Sequence, residues 1–483
     1  MPTRRSHIGL GLIGLIYIAL SSYFIVNDQP YFALLSLGLL VVYFALYYVE
    51  QSFLALAFLT PLSINIEEYT DSFGLFLPTE PLLFGMLLLI LMQEIQKSYV
   101  PKHVWRHPIV ISVGLYVIWL FLTTISSSDV MTSVKFVVAK LWFFIPLLLL
   151  GPIVFGKKKN IQTFLWLFVI GMTLVVSYTV ILHMTYSFGE KESHWVMWPF
   201  FKDHTIYGAI VALTLMLGLG IYFSKKHPPL TQAVLISMII ILFIGLYFSY
   251  TRAAWLSVAG AFGIGMLIKL KVKFSYLLGT VLFLGAILFF TWDSLQMELA
   301  RNKQDHTTED FGERLQSATN VTTDASNLER LNRWTCAWDM FQERPIMGFG
   351  PGTYAFEYAR FQHPENLTII STNFSDGGNA HSEYLGPLSE TGAPGLIFFL
   401  VVLTYLFYSG IHLYNKWPVN DKETKTLLIF MVMALSTYFI HGFLNNYLDT
   451  DKACVPVWGM AAIFIALEER LKKDILSKKS MPI

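Results

Sequence analysis

The chain has 483 residues, of which 54% are hydrophobic and only 14% charged, and its mean hydropathy is +0.54. A water-soluble globule cannot bury that much apolar surface, so lipid is the solvent for most of the chain. A net charge of +1 with Lys and Arg scattered through short loops excludes a basic nucleic-acid surface. The two cysteines, Cys336 and Cys454, stand at no metal-ligand spacing and indicate neither a disulfide framework nor a zinc site.

In chain order, Thr3-Arg4-Arg5 is followed by an apolar run from Ile8 to Val26. With no small-residue cleavage site and a second run starting at once, it reads as a first membrane anchor. A spanning helix needs about 20 mostly apolar residues. Fourteen candidate runs begin near residues 7, 31, 52, 75, 108, 134, 161, 206, 230, 253, 275, 394, 426 and 454, the third and last of them short. The expectation is an all-α polytopic integral membrane protein of about 12–14 transmembrane helices. It divides into a helix bundle over residues 1–292, a long loop over 293–393, and C-terminal helices with a tail over 394–483.

The positive-inside rule orients it. With the N-terminus inside, the inside segments hold Arg4-Arg5, Lys97/Lys102/Arg106, Lys157-Lys158-Lys159, Lys225-Lys226, Lys269/Lys271/Lys273, Lys416/Lys422/Lys425 and the tail from Arg470 to Lys479. The short outside connections hold only Lys191, Lys202, Arg252 and Lys452. Both termini are therefore expected in the cytoplasm and the long loop outside.

Within the loop, Asp324 or Ser326 can cap a helix running to about Arg344, with Leu328, Leu331, Trp334, Trp338 and Phe341 at the spacing of one apolar face. Arg330 and Arg333 then share another side, either to grip a phosphate or simply to face solvent. Pro345 ends the helix, and Gly348-Phe349-Gly350-Pro351-Gly352 makes a sharp turn that lacks the strand and the Lys-Ser/Thr ending of a nucleotide loop. A second short helix is expected from about His381 to Glu390, closed by Gly392.

Few residues suit chemistry. Arg252 lies between two apolar runs with almost no loop, where it either snorkels or faces an anion. Lys135 and Lys140, in the sixth run, carry stems long enough to reach the headgroups. His381, at a helix start, would be held neutral by the helix dipole, as a general base requires. His204, just ahead of the eighth run, is a weaker candidate on the same side. Asp449-Thr450-Asp451 beside Lys452 reads as a solvated loop, and no metal site is indicated. Asn320, Asn366 and Asn373 begin N-x-S/T triplets, which matter only in a eukaryotic secretory setting.

The run Glu329-Arg330-Leu331-Asn332-Arg333-Trp334, then Pro345 and the Gly348/Gly350/Gly352 turn, then Asn379-Ala380-His381-Ser382-Glu383-Tyr384-Leu385 and Glu390-Thr391-Gly392, resembles the signature of the O-antigen ligase and polymerase superfamily. Thr251-Arg252-Ala253 resembles that family's earlier arginine motif, and Asp203-His204 through Tyr207-Gly208 its preceding outer-face segment. The resemblance implies a C-type glycosyltransferase of the bacterial inner membrane, multi-pass, with its active face periplasmic. It would use a glycan carried on undecaprenyl diphosphate and a glycolipid or other hydroxyl acceptor, among membrane lipids and with no cofactor.

It also implies that Arg252 and Arg330, with Arg333 a less secure match, contact the donor diphosphate and that His381 activates the acceptor hydroxyl. The family commonly has an asparagine where Ser382-Glu383 follows the histidine here, a departure that bears on the details of the acceptor site and leaves Glu383 a further candidate there. A polymerase is the alternative within this chemistry. A transporter or flippase would show ionisable residues deep in several spans and broken helices, whereas most charges here collect in loops.

The expected topology makes a direct prediction. Single cysteines replacing Ser317 or Ser371 in a Cys-free background should react with an impermeant thiol reagent in outer-membrane-permeabilised cells, and one replacing Lys158 should not. The reverse pattern would overturn the orientation.

Overall fold

A computed structural model describes residues 17–24, 26, 43, 47–67, 74–301, 325–363 and 378–479. The first two apolar runs, Asp324, Ser317, Ser371 and the three N-x-S/T triplets lie wholly or largely outside these residues. From residue 49 onward every remaining run of the sequence is a helix, as the internal satisfaction of backbone polar groups in hydrocarbon demands. In order these are α1 (Val49–Leu62), α2 (Thr79–Gln96), α3 (Pro108–Ile125), α4 (Val130–Val154), α5 (Lys158–Thr185), α6 (His204–Ser224), α7 (Pro229–Tyr247), α8 (Arg252–Lys269) and α9 (Phe274–Arg301). The loop helix α10 (Ala325–Glu343) and then α11 (Leu385–Lys416), α12 (Lys422–His441) and α13 (Asp451–Lys479) follow. Eight of these, among the described residues, are long and apolar enough to cross a membrane: α2 to α7, α11 and α12. The chain is an all-α polytopic membrane protein; its only described strands are the two-residue pair Ile64–Asn65 and Phe76–Leu77.

Side-chain caps mark several starts. Asp129, Asp203 and Asp421 accept backbone N–H groups of the first turns of α4, α6 and α12, and Pro108 opens α3 behind His107. The most enclosed spans, α6 and α12, pack on each other at the centre, and α7 lies at the rim. Small residues set the closest approaches: a Cβ on Gly220 would stand 2.6 Å from Phe430 and one on Gly171 2.6 Å from the Phe58 carbonyl oxygen.

The two ends of the bundle differ. At one end, ion pairs join Lys157 to Glu50, Lys158 to Asp421 and Lys225 to Glu423, and a hydrogen bond joins His107 to Glu468, so segments far apart in sequence gather there. At the other end lie α10, the glycine turn and the connections after α5, α7 and α12.

Here Asp451 and Lys452 depart from the solvated loop expected of the Asp449-Thr450-Asp451 segment, whereas Asp449 is exposed. Asp451 is fully buried, accepting from Ser63 Oγ at 2.5 Å and from Thr79. Lys452 is buried as well, its Nζ donating to the carbonyls of Thr60, Pro61 and Ser63 at 2.8, 3.1 and 2.7 Å. The ammonium thus caps the carbonyl end of α1. The two buried charges are linked through Ser63 Oγ, which contacts both, and removing one leaves the other uncompensated. Lys452→Met should therefore cost about 3 kcal/mol or more of stability, and adding Asp451→Asn should recover part of it, as read from thermal unfolding in detergent.

Candidate active site

The site is assembled from α10, the segment 378–385 and the connection 442–450 between α12 and α13. Helix α10 ends near Arg344 as the sequence indicates, but it docks by a different face. Asn332, Arg333, Cys336, Ala337 and Met340 are buried, whereas Leu331, Trp334, Trp338 and Phe341 are only half-buried. The reason is a small separate core of Cys336, Ala337, Met340, Phe349, Tyr354, Tyr358 and Ala380, where small residues and one Met let the helix approach two stacked tyrosines. Burial among these groups pushes the Cys336 thiol up to about 12.

Arg333, expected on an open side, is therefore inside. Its Nε donates to Glu329 at 2.7 Å, its Nη1 to the Asn379 carbonyl at 3.3 Å, and its guanidinium lies 4.6 Å from the Tyr358 ring centre. Gly378, at φ +104°, passes so close that a Cβ there would stand 1.8 Å from Nη1. Arg330 points the other way, its Nε donating to the Leu444 carbonyl at 3.3 Å.

The charges of both arginines act on His381, which does not begin a helix. It stands at φ +46° in a bend four residues ahead of α11, so the helix-dipole explanation for a neutral ring is replaced. Its N–H donates to Asn379 Oδ1 at 3.0 Å and its carbonyl accepts from Trp334 Nε1 at 3.3 Å. Burial, then the charges of Arg330 and Arg333, hold the ring down at about 4. The short helix closes as expected: α11 breaks at Gly392 (φ +71°), where a Cβ would lie 2.1 Å from the Ile346 carbonyl oxygen. The glycine turn supplies the other side of this contact, with Gly350 donating to the Glu390 carbonyl at 2.8 Å.

Glu383 is buried and structural in its contacts. Its Oε1 accepts from Tyr438 Oη at 2.5 Å and from the backbone N–H groups of Tyr447 and Leu448 at 2.6 and 2.9 Å. Lys140, rather than reaching headgroups, is buried and pairs with Asp449 and the Leu448 carbonyl. Lys135 is exposed. A cavity of about 270 Å³ opens here, with Lys140, Asn379, Glu383, Glu390 and Asp449 among its polar lining and Trp458 on its apolar wall.

Arg252 is the first residue of α8, after a tight turn with Tyr250 at φ +53°. Thr251 Oγ1 donates to the His204 carbonyl at 2.8 Å, which joins the two family-like segments. His204 lies against His194 with ring centres 4.1 Å apart and within the field of Arg330. His441, at the end of α12, feels Arg330, Asp203 and His204 together. The structure thus gathers His381, Arg330, His204 and the start of α8 at one end of the bundle and leaves Lys135 out. Sequence reasoning missed His441, Asn445 and Tyr447. The signal was there in His441-Gly-Phe-Leu-Asn445-Asn446-Tyr447, a polar cluster at the end of an apolar run.

Residues 237–400, from α7 into α11, match the family model described as O-antigen ligase. The match covers about a third of the chain and supports a glycosyl-transferring enzyme of the ligase and polymerase type. No curated protein matches the chain.

Glu383 allows a pH test of this geometry. Burial, then the charge of Asp449, raises its carboxyl from 4.5 to about 7. Over that window the folded chain keeps a proton that the unfolded chain has lost, so this group's contribution to stability falls as pH rises from 4.5 to 7. Glu383→Gln still accepts through its amide oxygen but does not ionise. The unfolding temperature of the wild type in detergent should drop relative to the variant across that window, and parallel curves would refute the assignment.

Proposed function

We propose that the chain is an O-antigen ligase-like glycosyltransferase that moves a glycan from undecaprenyl diphosphate to a hydroxyl of lipid A-core or a similar acceptor, at the periplasmic face of a bacterial inner membrane. The observation that carries this reading is a half-buried histidine kept neutral by the charges of two arginines, at the same end of the bundle as Arg252. A sugar on a diphosphate already has a good leaving group. The chemistry therefore needs a base for the incoming hydroxyl and cations for the departing charge.

His381 takes the hydroxyl proton as the oxygen bonds to the anomeric carbon. The bond from that carbon to the diphosphate oxygen breaks, and the electron pair leaves with the diphosphate. Arg330 and Arg252 meet the growing negative charge, strengthened by the low dielectric of the membrane boundary. Arg333, committed to Glu329 and Asn379, serves mainly to hold the 378–381 segment, with its charge helping to keep His381 neutral at rest. The ring nitrogen of His204 that has no hydrogen-bond partner among the described residues suits a ligand oxygen at the edge of the same cluster. Lys140 and Glu383 support the connection 446–449 rather than the reacting atoms. No step calls on a metal or cofactor.

The ligase is preferred to the polymerase because the compact Asn379-to-Gly392 motif beside one large loop resembles ligases more closely. Reconstitution with purified lipid-linked donor and a separate acceptor tests both levels. His381→Ala should lower turnover by about 10²–10⁴-fold, and Arg252→Lys or Arg330→Lys should retain only part of the activity, since a point charge lacks the bidentate fork. The acid limb of wild-type turnover should lie well below pH 6.5, because the base stays neutral down to about 4. Near-normal turnover by His381→Ala would remove the base, and lengthening of the lipid-linked glycan without a separate acceptor would replace the ligase with a polymerase.

A further inference from the structure

The cavity of about 270 Å³ shares a wall with the segment that carries His381: Asn379, Ser382 and Glu383 line it, and His381 does not. It reaches the outer end of the bundle, because Gly378 and Asp449 line it and are exposed. Deeper in, three polar groups have bonding capacity that no described residue uses. Tyr116 is 7% exposed, and its hydroxyl has no hydrogen-bond partner among the described residues. Glu383, equally enclosed, accepts all three of its hydrogen bonds at Oε1, which leaves Oε2 without one. Asn446 keeps a buried Oδ1 with no partner among the described residues. Unpaired polar groups are costly inside a protein, so three of them around one space call for an occupant rather than for packing. Gly386 marks the space itself: it is a buried helical residue of the lining, yet a Cβ there would meet nothing within 4 Å.

The remaining walls are aromatic, with Phe136, Phe144 and Trp458 among them. Aromatic faces set against a few placed polar groups suit a ring that carries hydroxyls around its edge and C–H bonds on its faces. Each such hydroxyl donates and accepts, Glu383 Oε2 and Asn446 Oδ1 accept, and Tyr116 does either. The volume falls below the about 300–1,000 Å³ of pockets that hold drug-sized ligands, so it admits one ring and not a chain of them. An acyl or prenyl tail would leave the polar groups unpaired. Charge selects further. Glu383, Glu390 and Asp449 line the cavity against one cation, Lys140, which Asp449 already pairs, so a carboxylate or phosphate on the ligand would enter against the local charge.

We propose that this cavity binds a single uncharged sugar ring between its aromatic walls, with Tyr116, Glu383 and Asn446 holding the ring hydroxyls, and that it is a recognition subsite for a sugar unit close to the one that reacts. The second half rests on the glycosyl-transfer reading, and the first half does not. Both a lipid-linked donor and a glycolipid acceptor carry sugar, and the chemistry of the cavity is the same for either.

Binding is measured on the full chain in detergent, with the methyl glycosides of glucose, galactose, mannose and N-acetylglucosamine as probes. At least one should saturably quench the share of tryptophan emission that Trp458→Phe removes, and glucuronate should not. Tyr116→Phe and Asn446→Leu should each weaken binding by about three- to tenfold, and Gly386→Leu, which fills the space, should abolish it. All three variants should unfold at or above the wild-type temperature, because two of them remove an unpaired polar group and the third replaces a helical glycine. Lost binding is then not lost folding. No quench by any glycoside, a quench that survives Gly386→Leu, or equal quenching by glucuronate overturns the proposal. Turnover in proteoliposomes assigns the source: Gly386→Leu should raise KM by about tenfold or more for the acceptor alone if the ring is the acceptor's, and for the lipid-linked donor alone if it is the donor's. Glycoside binding with neither KM moved overturns the subsite. Absence of transfer by the wild type instead removes the glycosyl-transfer reading, and the sugar binding stands as measured.

Discussion

The candidate site depends on one buried carboxylate. Glu383 receives the Tyr438 hydroxyl and two consecutive backbone N–H groups, and its own N–H donates to the Gly442 carbonyl at 2.8 Å. These bonds hold the segment that carries His381 against the connection between α12 and α13. From that connection Leu444 holds Arg330, Asn445 meets His441, and Leu448 with Asp449 holds Lys140. An unsatisfied carboxylate in such surroundings would be costly, and each of the three donors to Oε1 reduces that cost. Four groups with different roles are thus positioned by one set of hydrogen bonds.

The second constraint is electrostatic. Cations are concentrated where the bundle meets its loop, and the dielectric there is low enough for charges several ångströms away to matter. Arg330 acts on His381, His204 and His441 together. An imidazole among guanidinium groups stays neutral, which suits a base. The same guanidinium groups attract a phosphate. In the proposed reaction one distribution of charge would serve both halves of the group transfer, and Arg333 joins it only because Glu329 and the Tyr358 ring make its burial tolerable.

The helices themselves were legible from hydropathy, because a span in lipid has to be long, apolar and internally hydrogen-bonded. The end of α10 near Arg344 and the break at Gly392 were legible too, since Pro345 and a glycine forced to positive φ leave the backbone little choice. The face by which α10 docks was not. Periodicity pointed to Leu331, Trp334, Trp338 and Phe341, yet the partner surface is a pair of stacked tyrosines that admits small side chains closely and leaves the large ones at its edge. Burial of Arg333 followed from that choice.

Lys140 and the Asp449-to-Lys452 segment show the same limit. Read along the chain, an isolated lysine in an apolar helix snorkels and a D-x-D beside a lysine is a wet loop. In space, Lys140 meets Asp449, and Lys452 meets the carbonyl end of α1, partners 309 and nearly 400 residues away. The sequence by itself determined that this is a helical membrane protein and where its helices run, and it carried the resemblance of the stretches around 252, 330 and 381 to one family. Only the tertiary structure decided which charges are paired and which groups surround His381. Those properties depend on contacts between distant segments, and local periodicity carries no information about a partner's surface.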